Sequence, residues 1–470
     1  MGQVTRPGGA LKRLALLLAG VAALLPAAGA SGGSTNADWG RFGIDASRSD
    51  VSPDTTITAT NVSRLHRLRV PVDGTIDSSA IYVAKGVRGR DAFVFTTTYG
   101  KTEAVDANTG RVLWRFTPPA YGRLAGSAQI TNSTPALSTD RKAVYASASD
   151  GRVRKLRLSD GRVLWTTRIT RDPTHEKITS PLNVSRGLVL ATTGGYIGDA
   201  PPYQGHVVTM AESNGKIHAV WNSLCSNRRA LMLPRTCDAS DSAIWSRNGA
   251  AVDPANGDIV VATGNAPWNG STNWGDSVLV LSPDGSRLLR HWTPADYQRL
   301  NDSDLDLGST SPSFIGKSGL AVQGGKDGKL RLLNLHRLPG VNAKTGGELQ
   351  TVALPGSTDQ FAQPTVWRDR WVFVTTGAGT AAWLLQGGRL HAKWSNSTGG
   401  TTPVIAGNLL YVAGSGAIHV YVPTSGREVA TLPTGENHWQ SPIVAAGRVA
   451  VAEGNANSHA TTGYLDIFRL

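Results

Sequence analysis

The sequence predicts an all-β chain: an eight-bladed β-propeller of four-stranded antiparallel blades, its ring closed by an N-terminal strand. Three observations carry this expectation. The 470 residues include 54 Gly, 24 Pro and 13 Trp but only 3 Met, a composition suited to short strands and tight turns. One phrase, Ala104-Val105-Asp106-Ala107-Asn108-Thr109-Gly110-Arg111-Val112-Leu113-Trp114, returns with wear down the chain, which marks a fold assembled from one repeated unit. Eight strand starts of similar character can be counted, and the eighth repeat falls one strand short.

From the N-terminus, Arg6, Lys12 and Arg13 flank the start of an apolar run, Leu14 to Leu25, and Ala28-Gly29-Ala30 fits the small-x-small cleavage rule. Residues 1–30 therefore read as a secretory signal peptide and 31–470 as the exported propeller. The run is shorter than the ~18 residues of a membrane span, so no transmembrane segment is expected after cleavage. Arg67 to Val72 alternates like a strand but precedes the first complete repeat. The repeats open at Ser78-Ser79-Ala80, Ser133-Thr134-Pro135, Thr179-Ser180-Pro181, Arg247-Asn248-Gly249, Thr310-Ser311-Pro312, Ala362-Gln363-Pro364, Thr401-Thr402-Pro403 and Gln440-Ser441-Pro442. The last holds three strands, around 442–445, 448–453 and 463–468. Pairing 67–72 with it completes the blade and removes two exposed edges.

Within a repeat, Asn108-Thr109-Gly110 is a turn: Gly takes positive φ freely and Asn tolerates it. Asp160-Gly161-Arg162-Val163-Leu164-Trp165 copies the phrase closely, while the copies leading to Trp221, Trp292 and Trp394 are more worn. Trp114, Trp165 and Trp394 are expected to dock one blade on the next. Spacing is widest around repeats three to five, so the long, function-bearing loops are expected there. The only cysteines, Cys225 and Cys237, share one loop and are expected to pair in an exported chain. Net charge is +13, but the basic residues are scattered singly, so nucleic acid is not an expected partner. A monomer is expected.

The repeated phrase resembles the tryptophan-docking motif Ala-x-Asp-x-x-Thr-Gly-Lys-x-x-Trp of the quinoprotein alcohol dehydrogenase propellers, which bind pyrroloquinoline quinone (PQQ), with Arg111 for the lysine. Asp253-Pro254-Ala255-Asn256-Gly257-Asp258 followed by Ala262-Thr263-Gly264-Asn265 looks most like the polyvinyl alcohol dehydrogenase-like branch. The resemblance spans nearly the whole mature chain. The motif is shared with non-catalytic propellers, so it implies the fold more firmly than an activity.

Repeat phase alone brings four residues to one face near the axis. Asn265 and Lys326 each follow a second strand; Asp304 and Asp306 precede an innermost strand. Oxygen donors of this kind suit Ca²⁺, a carboxylate can take an alcohol proton, and a lysine can stabilise charge on a quinone oxygen. The resemblance implies Asn265 and Asp306 as metal ligands, Asp304 as catalytic base, Lys326 as the quinone's basic contact and Trp245 as the ring beneath it, two residues out of register. By sequence alone, Asn265 fits a turn and the 302–306 acids fit a solvated loop equally well. The family's metal-binding glutamate is absent: its turn reads Gly194-Gly195-Tyr196-Ile197-Gly198-Asp199. Tyr99-Gly100-Lys101 stands where the family's adjacent cysteine pair is expected, and without Cys-x-x-Cys-His in this sequence no haem domain is expected. The expected function is oxidation of alcohol groups through Ca²⁺-bound PQQ with an external electron acceptor. The alternative is a non-catalytic scaffold that binds a protein or a cell-wall polymer.

Overall fold

The computed structural model describes residues 38–338 and 344–470. The expected signal peptide lies outside the described residues. Eight antiparallel sheets follow one another in chain order. Blades 1 and 2 run from Ile81–Val87 to Val112–Phe116 and from Ala136–Leu137 to Val163–Arg168. Blade 3 spans 177–222 and carries a fifth, short strand, Asn183–Ser185. Blades 4 to 7 span 251–292, 313–353, 365–396 and 404–433. Blade 8 combines Ile443–Ala445, Arg448–Glu453 and Gly463–Arg469 with His66–Val72. The last pair is antiparallel in the register Leu68↔Ile467 and Val70↔Leu465. The ring is therefore closed as the incomplete eighth repeat predicts.

The repeated phrase explains both the turn and the docking. Asp106 Oδ1 accepts from the backbone N–H groups of Asn108 and Thr109, each at 2.9 Å, and Gly110 sits at φ 71°. Trp114 donates its indole N–H to the Leu158 carbonyl at 2.7 Å, and its ring lies where a Cβ on Gly161 would stand, 2.5 Å away. Trp165 over Gly215 and Trp394 over Gly426 repeat the contact. Gly161, Gly215 and Gly426 are thus seats for the preceding blade's tryptophan, of which Trp114 is buried and Trp165 and Trp394 are half-buried. At the closure, Val70 of the N-terminal strand packs on Gly110 in place of an indole.

The innermost strands run away from the face that carries the candidate residues, and residues 38–58 lace their far ends together. Trp39 pairs with Tyr82, the Gly40 carbonyl accepts from Leu137 N–H, and Arg41 donates to Asn183 and to the Val184 carbonyl. The segment continues through Val252, Gln363, Ile405 and Val444. All blades but the fifth are engaged in this way. Buried Arg48 anchors the segment on the carbonyls of Phe42, Pro181 and Leu182 at 2.6–3.2 Å. This gives the Trp39-Gly40-Arg41-Phe42-Gly43 opening a role that repeat reasoning could not supply.

Cys225 and Cys237 form a disulfide within the 223–250 connection between blades 3 and 4. Among the described residues no helix is long and apolar enough to cross a membrane.

Candidate functional site

On the face opposite the 38–58 segment, the turns entering the innermost strands converge around a cavity of about 610 Å³. All five residues singled out by sequence line it: Trp245, Asn265, Asp304, Asp306 and Lys326. Blade 4 delivers Trp245 from its entering turn and Asn265 from the turn after Ile259–Ala262. Blade 5 delivers Asp304 and Asp306 just before its first strand, and Lys326 after Leu320–Gln323.

The four polar groups form one network. Lys326 Nζ lies 2.5 Å from Asp306 Oδ2 and 3.1 Å from Asp304 Oδ1. The Asn265 amide Nδ2 donates to Asp304 Oδ1 at 2.9 Å, and its backbone N–H donates to Asp306 Oδ1 at 2.7 Å. Gly264 makes that second contact possible, since a Cβ there would stand 2.3 Å from Asp306 Oδ1. Lys326 Nζ also sits 5.5 Å from the centre of the Trp245 ring. Asp304 adopts left-handed backbone geometry, φ 52°, unusual for a non-glycine residue, and such strain concentrates at functional positions. Its side chain is 73% exposed, whereas that of Asp306 is 12% exposed.

Burial pushes the Asp306 carboxyl upward, an effect the Lys326 charge only partly offsets. For Lys326, burial works against the charged form, but the charges and hydrogen bonds of Asp306 and Asp304 outweigh it and hold the ammonium above its ordinary range. The lysine is therefore firmly protonated. Behind the network, buried Asp276 accepts from Leu307 N–H at 3.0 Å, and burial drives its carboxyl far above the usual carboxylate range.

Two cations on the same cavity lack the partners that Lys326 has. Burial, then repulsion from Arg247, pulls the Lys177 ammonium down to about 8; its Nζ donates only to the neutral Asn132 Oδ1, at 3.1 Å. Burial likewise lowers the Arg247 guanidinium, only partly offset by the charge of Asp77, and its Nε has no hydrogen-bond partner. Arg247 lies 3.7 Å from the centre of the Trp439 ring. Asp77 and Asp199 offset the burial of Lys177 only in part and neither pairs with it directly, so both cations can take a further anionic partner. Lys177 was not singled out by sequence, and Arg247 appeared there only as a repeat start.

The site suits a hard cation in donor type but not in number. Asn265 Oδ1 is buried without a partner, and the two carboxylates adjoin it. Ca²⁺ takes roughly 6–8 oxygen ligands, however, and Lys326 already bridges both acids. Among the described residues no group of three His, Cys, Asp or Glu side chains is arranged to hold a metal. Asp199, from the turn that lacks the family's glutamate, does reach the cavity wall, where its Oδ1 accepts from Tyr203 OH at 3.0 Å.

With this geometry in hand, the chain was compared with known proteins. A family profile described as outer membrane protein assembly factor BamB matches residues 66–222. The dehydrogenase subunit of the quinone-type alcohol dehydrogenase of Acetobacter aceti is 25% identical over 346 residues, covering 62% of this chain and 46% of that protein. The chain is similar to the quinoprotein alcohol dehydrogenases and shares their propeller fold. It spans less than half the length of that curated relative. Among solved structures, the quinohemoprotein alcohol dehydrogenase from Comamonas testosteroni superposes with a TM-score of 0.68 at 15% identity, covering 93% of this chain and 81% of the other. A europium-containing methanol dehydrogenase gives 0.69 at 14% identity, covering 92% and 98%. These structural likenesses establish the fold of the quinoprotein-like ring; its chemistry must be argued from its own residues.

Proposed function

We propose that this protein is an exported dehydrogenase that oxidises alcohol groups with PQQ seated in the cavity beside Trp245, passing electrons to an external acceptor. The observation that carries the reading is the meeting, in one cavity, of the Asp304–Lys326–Asp306 network with two buried cations, Lys177 and Arg247, that form no ion pair among the described residues. PQQ is a flat tricyclic acid with three carboxylates, so its shape fits the Trp245 wall and its charge fits the two cations. When bound it supplies the two-electron oxidation that side chains cannot perform. The exposed Asp304 carboxylate takes the proton of the substrate hydroxyl. The Lys326 ammonium, fixed by Asp306, stabilises negative charge that develops on an oxygen near it. Asn265 Oδ1 and Asp306 would hold Ca²⁺, in competition with Lys326. The polyvinyl alcohol dehydrogenase-like branch is the reading of the 253–265 stretch.

Titrating the purified full chain with PQQ by calorimetry, with and without Ca²⁺, tests this. Saturable binding that loses its Ca²⁺ dependence in Asn265→Ala is the expected result. No binding at high micromolar PQQ overturns the reading. It would then favour a non-catalytic scaffold, for which two observations speak: Lys326 already neutralises both carboxylates, and the profile over 66–222 describes an assembly factor.

A further inference from the structure

Across a wall formed by Phe361 and Trp439 lies a second cavity, of about 480 Å³, on blades 6 to 8. Its size falls within the roughly 300–1,000 Å³ typical of small-ligand sites. It shares Arg247 and Asp359 with the first cavity, but the rest of its lining is mainly hydroxyl, glycine, histidine and aromatic residues. Thr375 and Thr401 line it, are 0% and 7% exposed, and carry buried hydroxyl oxygens with no hydrogen-bond partner. Their sequence neighbours behave differently: Thr376 Oγ1 donates to the Pro355 carbonyl, and Thr402 Oγ1 accepts from Gln363 N–H. Buried polar atoms are nearly always satisfied, by protein or by something bound, and these two hydroxyls have no protein partner although both residues line the cavity.

A third group points the same way. His438 also lines this cavity, with its side chain 19% exposed. Its Nδ1 lies 2.8 Å from Asp77 Oδ2. Asp77 is buried and is held in turn by Asn132 Nδ2 at 3.0 Å and Ala456 N–H at 2.9 Å. A carboxylate fixed on Nδ1 selects the tautomer with its proton there, leaving Nε2 as an acceptor. The sequence places His438-Trp439 at the axis by repeat phase, and the quinone reading gives neither a task. The aromatic wall is continuous: ring centroids of Trp245 and Phe361 are 5.9 Å apart, of Phe361 and Trp439 5.0 Å, and of Trp439 and His438 4.5 Å.

We propose that this cavity is a binding subsite for a neutral polyhydroxylated ligand, a sugar unit or a comparable polyol. The hydroxyls of Thr375 and Thr401 and Nε2 of His438 bond its hydroxyl groups, while Phe361 and Trp439 pack on its C–H surface. Hydroxyl donors and acceptors on an aromatic wall match a sugar ring, which carries hydroxyls at its edge and C–H groups on its faces. This inference requires no quinone and stands apart from the dehydrogenase reading.

The test is calorimetric titration of the full chain, without quinone, using glucose, sorbitol, cellohexaose and xylohexaose. At least one probe is expected to bind saturably at up to millimolar concentration, with affinity falling about tenfold in Thr375→Val and in His438→Phe. Thr401→Val gives a third, near-isosteric variant should one of these fail to fold, as judged by circular dichroism. Binding of the hexaoses alone identifies a glycan chain as the source; equal binding of glucose or sorbitol identifies a free polyol. No binding of any probe, or binding indifferent to all three substitutions, overturns the proposal. Loss of PQQ binding with sugar binding intact removes the dehydrogenase reading and leaves this one standing.

Discussion

Two cavities share one wall, and they are built on opposite chemistries. The cavity on blades 3 to 5 gathers charge: a protonated lysine between two carboxylates, and two further cations with no ion pair among the described residues. The cavity on blades 6 to 8 is lined by threonines and by His419 and His438, the latter with Nδ1 on Asp77, and shares only Arg247 and Asp359 as charged residues with its neighbour. The scaffold is the same in both, since the turns entering the innermost strands supply lining residues to each. What differs is the identity of a few residues just ahead of each strand start: Trp245 and Arg247 in blade 4, Asp304 and Asp306 in blade 5, Phe361 in blade 6, and His438 and Trp439 in blade 8. A repeat that must be regular to dock can be irregular at these positions, because their side chains face the axis and not the next blade.

The largest expected effect separates the cavities as sites of reaction. Asp304→Asn keeps the amide–lysine geometry but removes the base. Oxidation of an alcohol with an artificial acceptor is expected to slow by roughly 10²–10⁴-fold while PQQ still binds. If activity survives the substitution, proton removal does not occur in the charged cavity, and the Asp77–His438 pair next door becomes the better candidate.

Arg247 comes next, since it stands at the shared wall. Charge-assisted hydrogen bonds contribute about 1.5–3 kcal/mol each. Arg247→Gln is therefore expected to weaken PQQ binding by roughly 10- to 150-fold, measured by titration. An unchanged affinity would show that the idle guanidinium serves packing on Trp439 and not anion capture.

The readability of these features from sequence follows one rule. Docking was legible because Trp114, Gly161, Asp106 and Gly110 recur at fixed spacing, and a recurring contact leaves a recurring pattern. Ring closure was legible because a blade with three strands needs a fourth. Asn265, Asp304, Asp306 and Lys326 were placed together by repeat phase, and all four do line one cavity with Trp245. The anion site was not legible. Lys177 and Arg247 are distinctive for the carboxylates that are not beside them, and absence of a partner in space has no signature along a chain. Residues 38–58 were opaque for another reason: much of their lacing is through backbone groups, which any side chain carries. The idle hydroxyls of Thr375 and Thr401 differ from the engaged ones of Thr376 and Thr402 only in direction, and both pairs read as Thr-Thr or near it.

Lys177 gives the comparison a pH dependence. Burial lowers its pKa to about 8, so its charge is present below that value and lost above it. An anion bound in the charged cavity stabilises the protonated lysine, so binding takes up a proton where the free site is deprotonated. PQQ affinity is expected to be level below pH 8 and to fall above it, by at most about tenfold per pH unit. Lys177→Met removes the fall that begins at about pH 8 and leaves the one that Arg247, lowered by burial to about 9, brings at higher pH. The sugar affinity of the neighbouring cavity, whose proposed contacts do not include Lys177, is expected to stay level across the same window.

The smallest expected effect is at Asp276, an acid by sequence whose carboxyl is pushed toward the neutral form by burial. Burial raises its carboxyl far above the usual range, and one oxygen accepts from Leu307 N–H immediately after Asp306. An amide oxygen can accept the same bond at the same place. Asp276→Asn is therefore expected to leave PQQ affinity and turnover within about twofold of the parent. Asp276→Ala orphans the Leu307 N–H, costs about 1–3 kcal/mol of stability and loosens the turn that carries Asp306. If instead Asp276→Asn abolishes quinone binding while the fold is kept, the buried carboxyl is ionised. Its charge would then belong to the Asp306–Lys326 network, and the division between a charged cavity and its neutral surroundings would have to be drawn one layer deeper.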